Sequence, residues 1–375
     1  MSRALTFYEF FAGGGMARMG LGADFSCVFA NDFDPLKAKT YQANFEDAEA
    51  HFHEGDVWDL DARALSPNAD LAWASSPCQD FSLAGGRAGL TGGRSSAFFG
   101  FWRLVEALGR AAPQTIVIEN VSGLLTSHGG ADFAALCRAL AAQGYGFGAL
   151  EIDAARFVPQ SRPRIFVIAT RRRPAPELTG QGPFQTRAIR EAQARLPEDL
   201  QAHWIWWSLA APPSRNTDLA SLLEPDEIVA WRTEAQTRAL LDLMSPQHLA
   251  RIEAAKASGE RQIGAVFRRM RIEDGRRVQR AEVRFDGLAG CLRTPRGGSS
   301  RQTLVVVENG RIRSRLLSPR EGARLMGLPD SYVLPRAATG ALHVVGDGVV
   351  VPVVAWLASE ILQPLLRSSA AIAAE

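Results

Sequence analysis

Over residues 6–169, short apolar runs alternate with stretches of helical periodicity, and this alternation constrains the fold more than any other feature of the chain. A run of about four to eight apolar residues bounded by turn signals reads as a strand buried on both faces. A helix between successive runs carries the chain back, so that the next strand lies parallel to the last. Strands are expected at residues 6–11, 25–30, 71–74, 115–118 and 165–169, with helices at 16–21, 35–45, 98–110 and 133–143. The fold class is therefore doubly wound α/β.

At 375 residues, 46% of them hydrophobic and 22% charged, the chain exceeds what one core usually supports, and two domains are expected. The basic, proline-rich stretch Arg171-Arg172-Arg173-Pro174-Ala175-Pro176 marks an exit from the sheet, which places one domain at residues 1–175. Residues 183–307 mix helix-like stretches (186–195, 224–243, 246–257) with strand-like ones (276–285, 303–307). Trp204, Trp206 and Trp207 read there as packing for a small core. No apolar run reaches the roughly 18 residues of a membrane helix. The N-terminus opens into a strand without a signal-peptide pattern, so a cytoplasmic chain with no membrane partner is expected.

Charge is divided unevenly. The net charge is +2, yet residues 256–320 hold sixteen basic and six acidic side chains, which leaves 26 basic against 34 acidic elsewhere. Arg268, Arg269, Arg271, Arg276, Arg277, Arg280, Arg284, Arg293, Arg296 and Arg301 form the densest group. A solvated face of an arginine-rich chain would look the same, but arginine forks also suit phosphates and guanine edges, and the concentration points to a polyanion.

The polar residues of the first domain gather at the carboxyl ends of the expected strands, where open α/β sheets bind ligands. Gly13-Gly14-Gly15 follows the first strand and lets backbone amides approach a ligand at a helix N-terminus. Asp32 ends the second strand, placed to accept from ribose hydroxyls, and Asp56 follows Gly55 as an acceptor for an exocyclic amine. Together they suggest an adenosine-containing cofactor; the glycine spacing is not that of dinucleotide binders. Cys78 stands after the apolar run 71–74 in the turn Ser76-Pro77-Cys78-Gln79, ahead of a segment rich in glycine. A thiol there is placed as a nucleophile under a closing loop, residues 80–96. Cys27, Cys137 and Cys291 stand beside apolar residues and read as small buried hydrophobes, with no spacing that would hold a metal.

In order, Phe11-Ala12-Gly13-Gly14-Gly15, Asn31-Asp32, Gly55-Asp56, Ser76-Pro77-Cys78-Gln79, Glu119-Asn120-Val121, Gln160-Ser161-Arg162-Pro163-Arg164, Arg320-Glu321 and Gly346-Asp347-Gly348-Val349 make a series that resembles the DNA (cytosine-5) methyltransferase family of prokaryotes and phages. The resemblance spans residues 6–357 and leaves out the arginine-rich segment and its flanks. It implies an S-adenosylmethionine-dependent methyltransferase sheet, with a smaller target-recognition domain at 183–307 and a C-terminal segment, 316–375, returning to the catalytic domain. It also implies S-adenosyl-L-methionine as cofactor, held by Phe11, Gly13, Gly15, Asp32, Asp56, Val57 and Asp347. Family members usually carry asparagine at the last of these; a carboxylate there only accepts.

The implied chemistry is coherent. A thiolate from Cys78 adds to cytosine C6 and makes C5 nucleophilic. A buried carboxylic acid, Glu119, would protonate N3, and Arg162 and Arg164 would donate to O2. No residue marks itself as the base for the C5 proton. The target base must leave the duplex stack to reach the thiol. Double-stranded DNA is the implied partner, together with a companion restriction endonuclease for a monomeric, nucleoid-associated enzyme. An RNA methyltransferase of the tRNA-modifying branch shares these catalytic residues; the basic insertion and the Cys-Gln-Asp-Phe-Ser sequence favour DNA.

Overall fold

A computed structural model of the chain describes residues 3–65, 68–76, 97–273, 275–293 and 301–372, with side chains to residue 368. The chain divides into two compact units. The first comprises Met1–Asp153, Pro163–Pro213 and Val349–Glu375; the second comprises Ala154–Arg162 and Ser214–Gly348.

The first unit is built on β1 (Leu5–Phe10), β2 (Phe25–Asp32), β3 (Phe52–Glu54), β4 (Leu71–Ala74), β5 (Thr115–Asn120), β6 (Gly146–Asp153) and β7 (Pro163–Thr170), in the order β3-β2-β1-β4-β5-β7-β6. Neighbours among the first five are parallel, while β7 is antiparallel to both β5 and β6. Every residue of β4 and β5 is buried, as expected of strands covered on both faces. The crossovers use α1 (Met16–Leu21), α2 (Pro35–Asn44), α3 (Ala97–Leu108) and α4 (Ala131–Ala142), and α5 (Arg187–Ala194) and α6 (Glu198–Gln201) follow the sheet. Helix α3 buries Phe98, Phe101, Trp102 and Val105, one stripe at helical spacing.

The sheet differs from the expected one at its far edge. Strand β6 lies in a segment with two glycines, a composition that hides a strand. Gly148 is required because the segment carrying the tryptophans runs alongside: a Cβ there would lie 1.8 Å from the Ile205 carbonyl oxygen. The amide of Phe147 donates to His203 O and that of Ile205 to Phe147 O, at 3.0 and 2.7 Å. Trp207 is buried and its indole donates to Ile168 O at 3.0 Å. The tryptophans thus pack a core, but that of the first unit, so this unit runs past the compositional break near residue 175 to Pro213.

In the second unit α7 (Glu234–Leu241) and α8 (Pro246–Ala257) cover an antiparallel sheet of β8 (Gln262–Glu273), β9 (Arg276–Arg284), β10 (Thr303–Glu308) and β11 (Arg311–Leu316), ordered β11-β10-β8-β9. Leu240, Met244, Ile252, Val266, Ala281 and Val305 form its core. The long helix expected over 224–243 starts only at Glu234, where Thr233 and Gln236 form a capping box; before it, Trp231 bridges to Arg315 on β11. Beyond the sheet come α9 (Pro319–Leu325) and α10 (Ala338–Asp347). Glu321 on α9 makes a doubly hydrogen-bonded ion pair with Arg315, at 2.6 and 2.7 Å, in which both side chains are essentially inaccessible. Its carboxylate also receives the amides of Glu224 and Ser318.

The last segment rejoins the first unit as α11 (Val351–Leu357) and α12 (Gln363–Ile372). Gly20 permits α11 to rest on α1, for a Cβ there would meet Val354 Cβ at 2.4 Å. The helical stretch Ala338–Ser368 has the length and hydropathy of a membrane span although Asp347 and Glu360 interrupt its apolar residues, and 61% of its most apolar part is buried within the fold.

Candidate active site

Strand β1 ends at Phe10, and the chain turns through Phe11 and Gly13 at φ 57° for each. A left-handed phenylalanine is a rare conformation for a bulky residue, and such strain gathers at ligand-binding turns. The turn is held from the next strand: the Ala12 amide donates to Asn31 O at 2.9 Å and the Gly13 amide to Asp32 Oδ2 at 2.8 Å. A Cβ on Gly13 would have nothing within 4 Å, so open space lies over this backbone. Gly15 is different. At φ 80° it caps α1, and a Cβ would strike the Phe45 ring at 2.2 Å.

Asp32 closes β2, with its second oxygen accepting from the Asp34 amide at 2.9 Å. Burial raises its carboxyl above the usual range, against the opposing pull of Lys37 and of the two amides. Each oxygen keeps a further lone pair for a ligand hydroxyl. Next to it stands Phe33, 66% exposed, a large ring at the carboxyl edge of the sheet that the sequence reading passed over. Its signal was available, since an aromatic directly after a strand-end carboxylate is placed to stack on a base. Asn31 ties β2 to the end of β3 by donating to His53 O and Gly55 O, both at 2.9 Å. Asp56 then caps a short turn of helix through the Trp58 amide at 3.0 Å, and Val57 is buried beneath it against α3. Phe11, Gly13, Gly15, Asp32, Asp56 and Val57 thus all lie in the first unit, at or just beyond the carboxyl ends of β1, β2 and β3.

Glu119 lies near the end of β5, and its Oε1 is 3.1 Å from Nε of Arg164 on β7, with side chains 9% and 16% exposed. Adjacent strands present the pair: Glu119 faces Phe166 across the β5–β7 ladder, two residues beyond Arg164. Asn120, the next residue, donates to Ser76 O at 3.1 Å and to its Oγ at 3.2 Å. That clamp fixes the backbone two residues ahead of Cys78. Cys78 itself and the loop at 80–96 lie outside the described residues.

The Gln160-Ser161-Arg162-Pro163-Arg164 motif divides at the unit boundary: Arg162 belongs to the second unit and Arg164 to the first. Within its own unit the guanidinium of Arg162 donates to Leu292 O at 2.8 Å, Gly346 O at 3.0 Å and Gly348 O at 2.7 Å, with Cys291 Sγ at 3.4 Å. Cys291 is accordingly half-buried and bonded, where a plain buried hydrophobe was expected. Cys27 and Cys137 are buried, and burial pushes both thiols up, Cys27 to about 12. Asp347 is also in the second unit, at the end of α10, 3.2 Å from His343 Nε2 one turn earlier.

Residues 5–363 match the family of C-5 cytosine-specific DNA methylases. The chain is 26% identical over 366 residues to the Type II methyltransferase M.HhaI of Haemophilus parahaemolyticus, an alignment covering 95% of this chain and 94% of that protein. It is 28% identical to M.HpaII of Haemophilus parainfluenzae, with 96% and 90% covered. The crystal structure of the S. pombe Dnmt2 methyltransferase shares the fold, with a TM-score of 0.59, 18% identity, and 96% and 99% of the two chains covered. Seven strands with β7 reversed, a glycine turn at β1, and a Glu–Arg pair next to the Asn120–Ser76 clamp therefore stand in a sequence that matches one family over residues 5–363, and the chain belongs to the C-5 cytosine-specific DNA methylases.

Proposed function

We propose that this DNA (cytosine-5) methyltransferase takes its methyl group from S-adenosyl-L-methionine and works through a covalent bond between Cys78 and C6 of a flipped cytosine. The residues present fit that donor. The open backbone at Gly13, the Asp32 carboxylate and the exposed Phe33 ring offer amides, a hydroxyl acceptor and a stacking face at one sheet edge. Asp56 would accept from the adenine amine, Val57 would wall its ring, and Asp347 would meet the ammonium group. When bound, the donor supplies an electrophilic methyl on sulfur.

The rest falls to the protein. Cys78 Sγ bonds to C6 while Glu119 hands a proton to N3, so that the ring's electrons collect at C5. Arg164, paired with Glu119 in this structure, donates to O2 and steadies the charge. Arg162 serves as a positioning residue, since its donors brace backbone carbonyls. After C5 gains the methyl, solvent takes the C5 proton, the S–C6 bond breaks to return the thiolate, and N3 gives its proton back to Glu119, which leaves an aromatic cytosine. The Glu119–Arg164 pair, next to the Asn120 clamp on Ser76, is the observation that carries this reading.

Two of its relatives are Type II methyltransferases, so the chain is read as the modification half of a restriction–modification pair, a cytoplasmic monomer that acts on duplex DNA in company with an endonuclease for the same site. Purified enzyme with labelled S-adenosylmethionine is expected to label duplex DNA and leave tRNA blank, and Cys78→Ala is expected to abolish the signal. Label entering DNA at an undiminished rate in the variant would remove the covalent mechanism.

A further inference from the structure

Most arginines of the second unit's sheet are matched by acids. Arg269 and Arg271 share Glu282, and Glu273 takes Arg280. Among the described residues, no carboxylate pairs with Arg232, Arg268 or Arg301. The β8–β10 ladder ends with Val266 opposite Thr303, and just past that pair the Gln302 side-chain amide donates to Val266 O at 3.0 Å. Arg268 and Arg301 each lie two residues beyond the pair on their own chain segments, and strand alternation puts Arg268 on the Val266 face. The Arg232 amide donates to Ser314 O at 2.9 Å, beside the Trp231–Arg315 bridge, so Arg232 shares the face of Ser314 and of its partner Val305. That is the face covered by α7 and α8.

Each of the three has a buried N–H with no acceptor among the described residues: Nη1 of Arg232, Nε of Arg268 and Nε of Arg301. Burial, then the charges of Arg268 and Arg301, hold the Arg232 pKa below its usual value. Buried donors left unmatched and like charges held together both cost stability, and proteins keep such groups where a ligand completes them. A phosphodiester does so, because its two free oxygens accept several N–H donors and its charge offsets the repulsion.

We propose that Arg232, Arg268 and Arg301 form a phosphate receptor that grips one backbone phosphate of the DNA substrate. The proposal rests on the DNA-methyltransferase reading above. A phosphate contact positions the duplex without reading its sequence. Arg268→Gln and Arg301→Gln are each expected to weaken binding of target and non-target duplexes alike, by about tenfold near 0.1 M salt, and to flatten the slope of log K against log[salt] by about 1. Inorganic phosphate, compared with chloride at equal ionic strength, raises the unfolding midpoint of the wild type and not of the variants.

An unchanged salt slope in both variants, or a loss confined to the target duplex, overturns the proposal. So does a phosphate response with DNA binding intact in the variants, which would make this a site for free anions only. Should a glutamine variant fail to fold, Arg268→Lys keeps the charge without the fork; it is expected to retain the slope and bind more weakly, and wild-type affinity there is equally fatal. A wild type that methylates DNA while the variants keep its slope leaves the enzyme reading intact, whereas a wild type that methylates no DNA removes that reading itself.

Discussion

Glu9 stands near the end of β1, an interior strand, and is 1% exposed, where a carboxylate would lose nearly all its hydration. Burial pushes its carboxyl up to about 8, against the Arg18 amide at 3.2 Å, the Arg18 charge and Tyr41, with Asp32 adding a like charge. The folded chain therefore keeps a proton that the unfolded chain releases near 4.5. The sign follows from linkage: this contribution is full below the unfolded value and is lost as pH rises through 8. Converted, the gap amounts to at most about 5 kcal/mol. Glu9→Gln has no proton to lose, so the wild-type stability in urea, taken relative to the variant, should fall from about pH 5 to about pH 9. Parallel pH profiles for the two proteins would refute the buried-proton account. Residue type alone could not reveal this group. Glu9 lies inside a stretch correctly read as a strand, but burial on both faces depends on which strands flank it. The same holds for Arg162, which a motif marks as functional and which donates to groups of residues 291–348.

At the scale of elements, legibility followed the apolar runs. The runs at β1, β2, β4 and β5 were visible, as was α8, since each carries its own periodicity. Strand β8 was not, for Phe267-Arg268-Arg269-Met270-Arg271 has no alternation to read and its strand state comes from pairing with β9 and β10. The reversal of β7 was hidden too, because direction depends on what joins it to β6, here an excursion of Ala154–Arg162 in place of a crossover helix. The β4–β5 pairing has a further consequence. Asn120 at the end of β5 clamps Ser76 just beyond β4, so the strand that bears Glu119 also holds the backbone two residues before Cys78 in sequence. Asn120→Ala would leave the buried Ser76 carbonyl and hydroxyl without those donors, at a cost of about 1–3 kcal/mol. Because the clamp acts through Ser76 on the segment that carries Cys78, the variant should lose about tenfold or more in kcat, as misplaced catalytic groups do, while cofactor affinity is retained. Isothermal titration with the cofactor beside single-turnover methylation would show whether the loss is confined to chemistry.

At the scale of the molecule, the chain passes from one unit to the other at residues 153–154, 162–163, 213–214 and 348–349. The second unit is thus an insertion, 214–348, completed by a peptide from elsewhere, and composition near residue 175 could not show a domain assembled in that way. The short excursion is an internal part of that unit. Gln160, fully buried, donates to Leu325 O at 2.8 Å and accepts from Leu292 N at 3.0 Å, while Arg162 covers Leu292 O, Gly346 O and Gly348 O. Ser161 and Ala289 add a backbone pairing, the Ser161 amide donating to Ala289 O at 3.0 Å and the Ala289 amide to Pro159 O at 2.8 Å. Removing the peptide would strip several buried backbone groups of their partners at once, each costing about 1–3 kcal/mol, which together match the whole stability of an ordinary domain. Residues 214–348 expressed alone should therefore show strand signal in circular dichroism without a cooperative thermal transition. Fusing residues 154–162 to that fragment through a flexible linker should restore the transition, and a fragment that melts cooperatively without them would show that the motif is dispensable to the unit it enters.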